Sequence, residues 1–67
     1  MEYYARLRIL RRERKLSQRE VAKLLNCTQE AYGMYELGKQ KISVEKLIIL
    51  ARFYNVSLDY ITGLKDE

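Results

Sequence analysis

Two amphipathic helical patterns in this chain are separated by only three residues, Asn26, Cys27 and Thr28. So short a connection cannot carry the chain back antiparallel over any distance, so the two helices are expected to cross steeply and share one core. Ser17 opens the first of them with Glu20 three positions on. At this spacing the hydroxyl and the carboxylate each satisfy a backbone N–H that the helix start leaves unpaired. The pattern predicts a helix from Gln18 to Leu25 that buries Val21, Ala22 and Leu25. It ends at Asn26, a residue that accepts a left-handed backbone at low cost. Thr28 then caps a helix over Gln29 to Leu37, ended by Gly38, with Tyr32 and Tyr35 inward.

The same period continues on both sides. Tyr3, Leu7 and Leu10 place a first helix from residue 2 or 3 to Arg14, with a basic opposite face. Ser43 opens a fourth through Tyr54, with Val44, Leu47, Leu50, Ala51 and Tyr54 on one stripe and Asn55 at its end. A short fifth follows Ser57, with Leu58 and Ile61 inward, until Gly63. Three Gly, no Pro and eight Val or Ile leave few turn signals and weak strand material. The expected fold is therefore all-α, a compact five-helix single domain over residues 1–67. Ordering a chain of this length costs roughly 100 kcal/mol at about 1.5 kcal/mol per residue, so nearly every apolar side chain is needed in one core. A large cofactor pocket is not expected.

With no His and one Cys the chain has no ligand set for a structural zinc, no disulfide of its own and no imidazole for acid–base work. Ser17, Thr28, Ser43 and Ser57 are accounted for as caps, and no glycine-rich phosphate loop is present. Catalysis, cofactors and metals are not expected. Cys27 alone suits a reducing compartment, and a cytoplasmic location is expected. The longest apolar run, the five residues Leu47 to Ala51, falls far short of the roughly 20 that a membrane span requires. The first basic cluster leads into Ser17 and Gln18 rather than an apolar segment, so no signal peptide is expected at this start.

Three stretches carry a resemblance: Leu-Ser-Gln-Arg-Glu-Val-Ala-Lys-Leu-Leu at 16–25, Tyr-Glu-Leu-Gly-Lys at 35–39, and Leu-Ala-Arg-Phe-Tyr-Asn-Val-Ser-Leu-Asp-Tyr-Ile-Thr-Gly at 50–63. In this order they resemble the helix-turn-helix DNA-binding domain of the phage repressor and Cro family, over nearly the whole chain. The resemblance implies a lambda-repressor-like fold with the helix-turn-helix at the second and third helices. It implies a sequence-specific regulator of transcription, a repressor, whose third helix enters the major groove of double-stranded DNA. It also implies a homodimer on a palindromic operator, including pairing that forms only on the DNA.

In such a motif the first turns of the third helix face base edges, and here the outward set is Gln29, Glu30, Gly33 and Met34. Gln29 can bond bidentately to adenine, and Glu30 can accept from cytosine N4. Glu30 is equally explained by the positive N-terminus of its helix. Met34 is either an apolar base contact or simple surface. Gly33 costs a helix roughly 1 kcal/mol relative to Ala, which close approach to DNA or to a partner would explain. The family places a glutamine at the position of Gln18 on the DNA backbone, where helix-start N–H groups can also meet a phosphate. The alternative is a solvated helix-start residue. Thr28 serves as cap and as phosphate or thymine-methyl contact. The Lys39, Gln40 and Lys41 loop lies along the backbone in the family, against the alternative of a solvated loop.

The run Arg6, Arg8, Arg11, Arg12, Arg14 and Lys15 reads mainly as a solvated helix face, of which only part can point at DNA. Within it, Arg11 aligns with an arginine that in the family pairs with a glutamate late in the third helix, here Glu36. Small Ala22 suits a close approach of two helices. Asn26-Cys27 stands where Gly-Val is usual, serving as a permissive turn and a small apolar plug. Ile42 replaces a frequent proline, which predicts a less rigid loop. Ile49 and Phe53 occupy positions that often hold Lys and Ala, and read either as a partner surface or as a peripheral extension of the core. By resemblance the dimer surface lies around the fifth helix, with Tyr60 and Leu64 flanked by Ile49 and Phe53. The competing reading is a helical protein-binding module, such as an antitoxin or signalling component, without sequence-specific DNA function.

Overall fold

Every helix after the first starts at a hydroxyl residue that accepts from a backbone N–H three residues on. Ser17 accepts from Glu20 at 3.0 Å, Thr28 from Ala31 at 3.1 Å, Ser43 from Lys46 at 3.2 Å and Ser57 from Tyr60 at 3.0 Å. At Ser17 the box is complete, since its own N–H donates to Glu20 Oε1 at 2.9 Å. The computed structural model describes residues 2–65. The helices are α1 (Tyr3–Glu13), α2 (Gln18–Leu24), α3 (Gln29–Leu37), α4 (Val44–Tyr54) and α5 (Leu58–Thr62), with no strand among the described residues.

The ends are as local as the starts. Asn26, Gly38 and Asn55 take left-handed conformations with φ of 57°, 74° and 57°. After α2 the N–H of Cys27 donates to the carbonyl of Ala22 at 3.0 Å and that of Asn26 to Lys23 at 3.1 Å, closing the helix and turning the chain toward α3. A β-carbon on Gly38 would meet the Tyr4 ring and displace it, so that position favours glycine for space as well as for conformation.

Helix α1 packs on α3 and α5, α2 on α3, and α4 on α5. Leu7, Leu50, Tyr32 and Ile61 are fully enclosed where these contacts meet, with Leu10, Val21, Ala22, Leu25, Leu47 and Tyr54 around them. Three expectations need correction. Val44 is 60% exposed. It is the first residue of α4, and the chain arrives there from Ile42, whose buried side chain occupies the core position instead. Ile42 is thus a core residue and not merely a missing proline. Leu58, the first residue of a five-residue helix, is also exposed, and Ile61 carries α5 into the core with Tyr60 packed against its edge. Arg6, assigned to a solvated face, is 8% exposed because its guanidinium lies over the Tyr60 ring, 4.2 Å from the centroid.

Ile42→Ala is expected to cost about 2–4 kcal/mol, as other large-to-small core substitutions do. Val44→Ala should stay within about 0.5 kcal/mol, as exposed sites do. Urea midpoints of the two variants check this, and a larger loss for Val44→Ala would return that residue to the core.

Candidate nucleic-acid interface

Helix α3 is anchored on one side and bare on the other. Tyr32 is buried completely and Tyr35 in part, their rings meeting edge to face at 6.4 Å. The opposite face presents Gln29, Glu30 and Met34 as exposed side chains, with Gly33 between them. Leu37, one turn beyond Gly33, is exposed on this same face and was absent from the sequence-derived set. Its position at the helix end, four residues after Gly33, is the signal that places it there.

Beneath this face lies a buried polar cluster. Glu36 is 2% exposed. Its carboxylate accepts from Arg11 twice, Nε to Oε2 at 2.7 Å and Nη2 to Oε1 at 3.0 Å, so the pair is bidentate. Gln18 Nε2 donates to the same Oε1 at 3.0 Å. Arg11 Nη1 donates to the Leu16 carbonyl at 2.9 Å. One guanidinium therefore links α1, the turn before α2, and α3. Burial by itself would push the Glu36 carboxyl up, but the hydrogen bonds from Arg11 and Gln18 and the Arg11 charge outweigh it and hold the group below the usual glutamate value. The phenols of Tyr32 and Tyr54 are both pushed up, first by burial and further by the Glu36 charge, Tyr54 to about 12.

The remaining candidates are spread around α3. Thr28 spends its oxygen on the cap and keeps its hydroxyl proton free. Lys39, Gln40 and Lys41 are all exposed and follow directly from the turn at Gly38. Gln18, expected on phosphate, has one amide hydrogen committed to Glu36. Arg19 and Lys23, not singled out from the sequence, line a polar depression with Asn26 and Gln29 beside the start of α3. Both lie on the outer side of α2, at positions flanking buried Ala22.

The basic run of α1 divides. Arg6 and Arg11 turn into the fold, and Arg14 Nη2 donates to the Tyr54 carbonyl at 3.1 Å, while Arg12 and Lys15 remain exposed. The residues expected to form a dimer surface occupy two places. Phe53 lines a shallow apolar groove with Leu16, Val21 and Leu24, and Ile49 is exposed one turn earlier on α4. Tyr60 lies beneath Arg6, beside α1, and Leu64 is 79% exposed just past α5.

The sequence profile of the helix-turn-helix family matches residues 7–61. The chain is 45% identical over 65 residues to the uncharacterized HTH-type transcriptional regulator YobD of Bacillus subtilis (strain 168), covering 97% of this chain and 58% of that protein. It is 39% identical over 61 residues to the uncharacterized HTH-type transcriptional regulator YqaE of the same organism, covering 91% of this chain and 51% of that one. It thus spans between half and three-fifths of these relatives. A crystal structure of a transcriptional regulator from Listeria innocua superposes with a TM-score of 0.90 at 32% identity, covering 98% of this chain and 62% of the other.

Removing the charge of Glu36 while keeping its shape tests the cluster. Glu36→Gln is expected to cost about 2–3 kcal/mol near neutral pH, because Arg11 is left without its counter-charge. Because the folded-state value of Glu36 is depressed, its contribution is complete above the ordinary value near 4.5 and is lost as pH falls through the folded value. The wild-type chain should therefore lose stability on acidification more steeply than Glu36→Gln. Urea midpoints measured across the acid range check this, and parallel profiles would remove the assignment.

Proposed function

The chain belongs to the helix-turn-helix family, and from that premise we propose that it is a sequence-specific, double-stranded DNA-binding regulator of transcription. It inserts α3 into the major groove and acts as a repressor by occupying its operator. The observation that carries the reading is the bare face of α3, where polar Gln29 and Glu30 stand at the helix start above a rigid buried anchor. Side chains held at a helix start by packing beneath are what reading base edges requires. Thr28, Lys39, Gln40 and Lys41 flank α3 at its two ends and suit phosphates. Arg19 and Lys23 add positive charge beside the same helix start. The printed names of the relatives, HTH-type transcriptional regulators, support the same reading.

A single α3 reads only a few base pairs, so specificity over a genome calls for two copies on a palindrome, with half-site centres about 10 bp apart. The pairing uses the apolar side chains around α5, Tyr60 and the exposed Leu64, together with Ile49 and Phe53 of α4. The work is non-enzymatic and cytoplasmic. No helix among the described residues is long and apolar enough to cross a membrane.

Selection from random duplexes is expected to enrich a palindrome, bound by two chains per full site and one per isolated half-site, with log K falling steeply as log salt rises. No enrichment from duplex DNA would overturn the reading in favour of a protein-binding module, and a full site that holds one chain would overturn the dimer. Within an enriched site, Gln29→Ala should cost about 1–3 kcal/mol at one base pair of each half-site. An unchanged preference at every position would take Gln29 off the base edge.

A further inference from the structure

Glu36 decides which end of the Gln18 amide faces outward. A carboxylate can only accept, and Glu36 Oε1 already receives Arg11 Nη2 at 3.0 Å. Gln18 must therefore turn its NH2 group to Glu36, and Nε2 lies 3.0 Å from the same oxygen. The amide carbonyl is left facing α3 at Gly33. A β-carbon placed on Gly33 would stand 3.6 Å from Gln18 Oε1 and would approach no other side chain within 4 Å.

The fold itself gives no reason for a glycine there. Gly33 is not among the residues with positive φ, and 3.6 Å is ordinary van der Waals contact. Glycine is nonetheless the poorest helix former after proline. What its missing side chain does is leave a notch in the outward face of α3, with one hydrogen-bond acceptor at its edge. A phosphate oxygen is also an acceptor and cannot bond to that atom; it could meet only the second hydrogen on Nε2, the one not committed to Glu36. On the base edges of the major groove the matching donors are the exocyclic amines, adenine N6 and cytosine N4.

We propose that Gln18 Oε1, presented beside the Gly33 notch, accepts a hydrogen bond from an exocyclic base amine in the major groove. Gln18 and Gly33 thereby determine specificity together, and Glu36 is the positioning residue that fixes the amide. This rests on the DNA-binding reading above, and it gives the carbonyl of Gln18 a base edge in addition to any phosphate contact of its free amide hydrogen.

The test compares sites selected from random duplexes by the wild-type chain, Gly33→Ala and Gln18→Met, together with thermal melts. Gly33→Ala leaves the buried cluster intact and should melt about 4 °C or more above wild type, because alanine is the better helix former and has room. Both variants are expected to lose preference at the same base pair, by about 5- to 150-fold, while keeping the rest of the motif. A duplex whose base at that pair lacks its amino group should weaken wild-type binding and leave Gln18→Met unaffected. Which amine is read follows from the selected base. Uniform loss over all duplexes for Gln18→Met would return the residue to the backbone and overturn the proposal. A Gly33→Ala chain that melts lower than wild type, or that selects an unchanged motif, would overturn it too. If the wild-type chain selects no duplex at all, the DNA-binding reading fails and this inference with it; a wild-type motif that both variants share leaves the reading standing and removes only the inference.

Discussion

The bidentate pair between Arg11 and Glu36 is the interaction on which the arrangement of the first three helices depends. Glu36 is too buried to be solvated, and a lone carboxylate there would be costly. Arg11 supplies two parallel hydrogen bonds as well as a charge, and its remaining nitrogen reaches the Leu16 carbonyl. A lysine in its place would offer a point charge and not a fork, and could not hold both partners in one plane. Such a pair adds little net stability over apolar packing of the same volume. What it adds is position: α3 is fixed against α1, the turn before α2 is fixed to the same group, and the Gln18 amide is fixed to the carboxylate.

That turn shows how far the effect reaches. Lys15 adopts a left-handed backbone with φ of 57°, which costs a β-carbon-bearing residue about 1 kcal/mol or more. Nothing about a lysine favours this conformation. The N–H of Leu16 donates back to the carbonyl of Arg11 at 3.1 Å while the Leu16 carbonyl receives the Arg11 side chain, so one residue closes the turn from both sides. The unfavourable backbone at Lys15 is offset by bonds made at its neighbours.

The same logic separates the basic residues into two populations. Arg6 and Arg11 turn their guanidinium inward, onto an aromatic face and a carboxylate, and Arg14, itself exposed, ties one nitrogen to a backbone carbonyl. Arg12, Lys15, Arg19, Lys23, Lys39 and Lys41 remain exposed. The two cations engaged beneath the surface, Arg6 and Arg11, are both arginines. A weakly hydrated planar group with several donors can be satisfied by partly buried partners, whereas an ammonium is held at the surface by its hydration. The basic residues available to the proposed DNA surface are therefore fewer than the count of Lys and Arg in the chain implies.

The starts of α2 to α5 and their ends were legible in the sequence because they are local, whereas the end of α1, turned at Lys15, was not. A hydroxyl caps the N–H three residues on, and Asn or Gly adopts positive φ, whatever the rest of the chain does. The inward stripe was legible where a residue sits well inside a helix, as at Leu7, Val21, Tyr32 and Leu50. It failed at Val44 and Leu58, because a first-turn residue points according to how the chain enters the helix, and helical period carries no information about entry. Of the candidate interface, the outward residues of α3 follow from burying Tyr32 and Tyr35, and the Arg11–Glu36 pairing was suggested by resemblance. Burial of Arg6 over Tyr60, the meeting of Gln18 with Glu36 and the notch at Gly33 belong to the tertiary structure alone. Each depends on side chains from different helices, 54, 18 and 15 residues apart, and only packing brings them within hydrogen-bond or van der Waals reach.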